Sequence, residues 1–191
     1  MITHNLGYPR IGSGRELKKA SEAYWNEKIS SEELRNAGKM IRLKNWKTQK
    51  EAGVDIIPSN DFSFYDHVLD MSYMLGAIPG RFRCLQNYLK NDTPEFYFAM
   101  ARGYQKEGFD IRPMEMTKWF DTNYHYLVPE FEAGMEFHLA SRKPIGEYLE
   151  AKALGFDTRP VLLGPVSFTM LGKIRTGSLS QAAVADALVE V

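Results

Sequence analysis

Cysteine is almost absent from this chain: Cys84 is the single one in 191 residues. That excludes an internal disulfide framework and any metal site built from several cysteines of this chain. Net charge is missing too, because 24 Lys and Arg balance 24 Asp and Glu. No global field draws the protein to nucleic acid or to an anionic membrane, so any anion site must be local. No apolar run approaches the ~18 residues of a membrane span. The opening residues, MITHNLGYPR, hold no apolar signal-peptide core. Internal repeats and low-complexity linkers are absent as well. The expectation is a cytoplasmic protein with no nucleic-acid or membrane partner.

Hydrophobic residues make up 44 % of the chain, enough for a sizeable core in one domain-sized unit. Ser13 and Glu16 have capping-box spacing, and Leu17, Ala20, Tyr24 and Trp25 follow at helical intervals. Ser30 and Glu33 form a second such box, with Ile29 and Leu34 placed for a hydrophobic staple. Ala37, Ile41 and Trp46 continue that helix until Gly53 stops it. VDIIPSNDF reads as a short buried strand. Helices are predicted from Tyr65 to Gly76, from about Thr93 to Gly103, over KPIGEYLEAKALG, and from Ser180 to Val191. MEMTKW, residues 114–119, reads as a strand running into a polar loop, and GMEFHLA alternates like a strand. RPVLLGPVSF reads as the best buried strand, and residues 80–92 as a surface loop with Pro79-Gly80 and Asn91-Asp92. Strands alternating with helices point to an α/β fold with a parallel sheet. Only about four barrel-type strands can be counted, whereas a (β/α)8 barrel needs about 250 residues; a barrel here would be roughly half of one.

The stretch RIGSGRELKKA, residues 10–20, places two glycines before a run of cations. It is not a P-loop, because no Gly-Lys-Ser or Gly-Lys-Thr stands near residue 14. A dinucleotide loop fails too, because Leu17 stands where the third glycine belongs. On pattern alone the simpler reading is a capped surface helix with solvated lysines. The other reading is an anion site. Arg15 lies in the first helical turn, and Lys18 and Lys19 follow at i+3 and i+4 on one face. Cations there oppose the macrodipole unless an anion binds. Several carboxylates on a flexible chain would suit such a cluster.

Asp61, Tyr65, Asp66 and His67 suggest an acid–base constellation after a strand, where barrel enzymes place function. The simpler reading is a helix start capped by Asp61, with Phe62 and Phe64 in the core. Asn123-Tyr124-His125-Tyr126 is denser in hydrogen-bonding groups than a core strand needs. Trp119 and Phe120 read as core. Gly164-Pro165 reads equally as a ligand loop or a plain strand end. Cys84 has no catalytic partner nearby in sequence.

Four long blocks carry a resemblance: LGYPRIGSGRELKKASEAYW, KEAGVDIIPSNDFSFYDHVLD, EMTKWFDTNYHYLVPEF and LEAKALGFDTRPVLLGPVSF. In order, across nearly all of the chain, they resemble the amino-terminal part of the cobalamin-independent methionine synthase family. The resemblance implies two (β/α)8 barrels, with residues 1–191 forming the N-terminal portion of the first and the catalytic C-terminal barrel lying outside the chain. It implies methyl transfer from 5-methyltetrahydrofolate polyglutamate to homocysteine, without cobalamin. The family's zinc is held by His, Cys, Glu and Cys of the C-terminal barrel. His4, His67, His125, His138 and Cys84 do not read as that site, so no catalytic or metal residue is expected here, and the chain alone is expected to be inactive. The resemblance further implies that Arg15, Glu16, Leu17 and Lys18 bind the folate's polyglutamate tail, with Lys118 and Asn123 as a second contribution. The alternative is a structural support barrel with no ligand role of its own; an enzyme of phosphorylated metabolites is a weaker one. A half barrel leaves sheet edges unpaired, so self-association or loose folding is expected.

Overall fold

The computed structural model describes residues 1–89, 93–177 and 179–191. Asn91 and Asp92, assigned above to a loop, lie outside the described residues. The chain divides into two compact units, Met1–Phe64 with Arg142–Leu162, and Tyr65–Ser141 with Leu163–Val191.

In the first unit, α1 (Glu16–Trp25) packs on α2 (Ser31–Glu51). The predicted box at the start of α2 forms: Glu33 N–H donates to Ser30 Oγ at 3.2 Å and Ser30 N–H to Glu33 Oε2 at 2.7 Å. Leu34, Ile41 and Trp46 are buried along one face, and Trp46 Nε1 donates to the Pro58 carbonyl. Gly53 ends the helix at φ +81°, a conformation suited to glycine. Strand β1 (Ile57–Ser59) is fully buried and pairs in parallel with β5 (Thr158–Pro160), Ile57 opposite Thr158. Between them in sequence comes α6 (Lys143–Ala153), which carries Glu147 and Glu150 to Arg42 of α2.

The second unit holds α3 (His67–Met74), a 3-10 turn (Gly80–Phe82), α4 (Arg83–Leu89) and α5 (Pro94–Arg102). Hairpin β2 (Met116–Lys118) and β3 (His125–Leu127) is antiparallel. Strand β4 (Glu130–Phe131) pairs in parallel with β6 (Lys173–Ile174), which follows α7 (Pro165–Leu171) and precedes α8 (Gln181–Val189). Val68, Tyr126, Val128, Phe131, Phe168 and Val184 form the core of this unit.

The α/β class therefore holds, with strands paired only in twos among the described residues. Four sequence expectations are corrected. Residues 80–89 are helical rather than loop. GMEFHLA forms no strand; single backbone bonds hold it against α3, from His138 N–H to the Leu75 carbonyl and from Ala140 N–H to that of Met74. RPVLLGPVSF is strand only through Pro160, and Leu162 stays 55 % exposed. Its apolar letters suit a strand covered on both faces, but β1 is its single strand neighbour among the described residues, and Pro165 starts α7. Phe120 is 77 % exposed, not core. Among the described residues no helix is long and apolar enough to cross a membrane.

Candidate functional site

Two surfaces carry the residues singled out by sequence, one in each unit. In the first unit, the expected Ser13–Glu16 box does not form. Arg15 occupies the N-cap position in the left-handed region, φ 60° and ψ 36°, and α1 begins at Glu16. The Glu16 carboxylate turns back to accept from Gly14 N–H at 2.8 Å, and the Ser13 hydroxyl accepts from Lys44 Nζ at 2.7 Å. A Cβ at Gly12 would stand 2.1 Å from Glu16 Oε2, so glycine there makes room for the turn. Backbone N–H groups of Glu16 and Gly14, with the Lys44 ammonium beside them, hold the Glu16 carboxyl below its usual range.

Leu17 is buried against Ile41 and Phe62 and anchors the helix start. Arg15 and Lys18 point their charges to solvent, and Lys18 stands 3.5 Å from Glu22, an exposed pair of small energetic weight. Sequence reasoning missed Lys44, 31 residues downstream of Ser13. It lies on the exposed side of α2, and no local spacing says which neighbouring loop such a residue will face.

In the second unit, Lys118 and Asn123 are exposed on the β2–β3 hairpin. Its tip is closed by Trp119 N–H donating to the Tyr124 carbonyl at 2.8 Å and by the Thr122 hydroxyl donating to the Trp119 carbonyl at 2.6 Å. Phe120, in the tip, takes φ +50°. The hairpin is tied to α3 through one buried carboxylate. Asp66 accepts from Leu69 N–H at 2.8 Å, from Leu127 N–H at 3.0 Å and from the Tyr124 hydroxyl at 2.7 Å. Burial pushes its carboxyl up, against the pull of those donors.

Asp66, not Asp61, is thus the cap of α3, which corrects the expected helix start. Asp61 instead accepts from Tyr8 N–H at 2.8 Å, and burial raises its carboxyl as well. Asp61 belongs to the first unit and Tyr65, Asp66 and His67 to the second. The tetrad Asn123–Tyr126 divides by role: Tyr124 and Tyr126 face inward, while Asn123 and His125 face solvent. Among the described residues no group of three or more His, Cys, Asp or Glu could hold a metal ion. The zinc of the resembled family has no fit to these residues. Cys84 is exposed, its thiol 3.7 Å from the Arg81 carbonyl.

The family model for the N-terminal domain of the cobalamin-independent synthase matches residues 2–191. The chain belongs to this family. Within the cobalamin-independent synthase family, it is 59 % identical over 191 residues to the 5-methyltetrahydropteroyltriglutamate–homocysteine methyltransferase of Flavobacterium johnsoniae, covering 100 % of this chain and 24 % of that protein. The enzyme of the same name from Saccharomyces cerevisiae is 54 % identical over 182 residues, covering 91 % of this chain and 23 % of its own. The chain thus spans about a quarter of the length of the curated synthases it matches.

Proposed function

We propose that this chain supplies a polyglutamate-binding surface for methyl transfer from a 5-methyltetrahydrofolate polyglutamate to homocysteine. The observation that carries the reading is the left-handed turn at Arg15, which presents Arg15 and Lys18 as exposed cations over a buried Leu17. The names of the relatives specify a triglutamate, a ligand with several carboxylates. Arg15 and Lys18 take carboxylates as charge partners. The Glu16 carboxylate takes the Gly14 N–H and orders the turn, and Leu17 fixes the turn on the core. As a separate contribution from the second unit, Lys118 offers an exposed cation, and Asn123 can pair with an amide or a carboxylate.

On this reading the residues bind and orient, and make no bonds. The chain forms about half of the first (β/α)8 barrel of a cytoplasmic methyltransferase of methionine biosynthesis. Any zinc used to activate the homocysteine thiol would be held by residues outside this chain, and this chain alone is inactive. The test is calorimetric titration of the chain with triglutamyl and monoglutamyl 5-methyltetrahydrofolate at low and moderate salt. Preferential triglutamate binding that weakens with salt is expected. Charge-neutralising substitutions at Arg15, Lys18 and Lys118 should weaken the triglutamate more than the monoglutamate; equal losses for both would sink the assignment.

A further inference from the structure

A cavity of about 340 Å³ opens within the second unit, and none of the residues assigned to tail binding lines it. Its volume sits at the lower end of small-molecule sites, roughly 300–1,000 Å³. The buried part of the lining is apolar: Phe96 and Ile78, with the Tyr73 ring 6.2 Å from that of Phe96. The outer part is polar and carries both signs of charge. Arg83 and Gln86 come from α4, and Glu136 and His138 from the strap of residues 134–140. None of these four side chains has a hydrogen-bond or ion-pair partner among the described residues.

The polar wall is built rather than draped. His138 N–H donates to the Leu75 carbonyl at 3.1 Å and Ala140 N–H to that of Met74 at 2.7 Å, which fixes the strap on the end of α3. The His138 imidazole lies directly over Gly76. A Cβ there would stand 2.6 Å from the ring, and Gly76 also takes φ +66°. Glycine at position 76 therefore sets where the ring sits.

We propose that this cavity binds a free α-amino acid with an apolar side chain. Arg83 takes the carboxylate in its planar fork, Glu136 takes the ammonium, and the side chain lies on Phe96, Tyr73 and Ile78. A wholly apolar ligand would strip water from four polar groups and return no partner to them. A phosphate would meet the Glu136 carboxylate as a like charge. A zwitterion answers both signs at once. The assignment does not rest on the tail-binding reading.

The test is titration of the whole chain with L-leucine and L-phenylalanine, followed by calorimetry and by amide chemical shifts. Beside them go 4-methylpentanoate and 3-methylbutylamine, each lacking one charged group. Saturable amino-acid binding is expected, with each analogue at least about tenfold weaker, equivalent to about 1.4 kcal/mol. Arg83→Ala and Glu136→Gln, at exposed positions, should each lower the amino-acid affinity about tenfold and leave the melting temperature unchanged. Absence of saturable binding by either amino acid overturns the proposal. So does equal binding of leucine and its two analogues, or unchanged affinity in both variants.

Discussion

The turn at Gly12–Lys18 and the hairpin at Lys118–Asn123 both present exposed cations, yet they are held in opposite ways. The turn is held by backbone geometry and by exposed contacts of Glu16 and Ser13 with nearby donors. The hairpin is held from beneath by one buried carboxylate that serves three donors. Surface charge can be moved at the turn with little structural consequence. At the hairpin the corresponding machinery is split between residues that present and a residue that holds.

The largest expected effect follows from that split. Asp66→Ala strands Leu69 N–H, Leu127 N–H and the Tyr124 hydroxyl at once. The expected loss is about 3 kcal/mol, since each unsatisfied buried donor costs about 1–3 kcal/mol and water recovers part of it. Urea unfolding measures this. A loss under about 1 kcal/mol would mean the hairpin is held by something else.

Asp66→Asn probes the same residue through pH. Burial raises the Asp66 carboxyl, so the native state holds that proton more tightly than the unfolded chain does. The resulting stabilisation is complete below the ordinary carboxylate value of 3.8 and is lost as pH rises through the raised native one. The Asn variant should lack this part of the slope, while Asp61, also raised by burial, keeps its own. Identical stability-against-pH curves for the two proteins would refute the buried-acid description.

At the turn the expected effects are smaller. Gly12→Ala adds a Cβ where φ is +80° and forces the Glu16 carboxylate off Gly14 N–H. The cost should be about 1–2 kcal/mol, from left-handed backbone strain and one exposed hydrogen bond. An unchanged urea midpoint would show that Glu16 does not order the turn.

Much of the framework was legible in the sequence. The Ser30–Glu33 box, the Gly53 stop, α5, α6 and α8 follow from local spacing and propensity and form where they were read, whereas VDIIPSNDF is strand only at Ile57–Ser59 and α3 begins later than read, at His67. Three of the failures share a physical cause: the deciding partner is remote in sequence. Ser13 could cap α1, but Lys44 takes its hydroxyl. Asp61 could cap α3, but Tyr8 takes its carboxylate and leaves the cap to Asp66. Leu162 reads as buried because its neighbours are apolar, yet burial depends on a second strand or helix that no local pattern specifies. For the proposed site, the spacing of Arg15 and Lys18 was visible, whereas the left-handed backbone that presents them was not.

The smallest effect separates presentation from binding at the turn. Arg15 holds φ 60° without being glycine, a conformation that costs an ordinary residue roughly 1–2 kcal/mol. Arg15→Gly removes that strain, and the extra freedom of glycine in the unfolded chain offsets about half of the gain. A net stabilisation of about 0.5 kcal/mol is expected in urea unfolding, together with weaker triglutamate binding. The two readouts then move in opposite directions, as they must if a strained residue is kept for the ligand it meets. Arg15→Gly that is more stable yet binds the triglutamate unchanged would leave the strain unexplained by binding and remove Arg15 from the site. A variant less stable than the parent would instead show that the guanidinium itself holds the turn, and the contrast with the hairpin would narrow to the burial of Asp66.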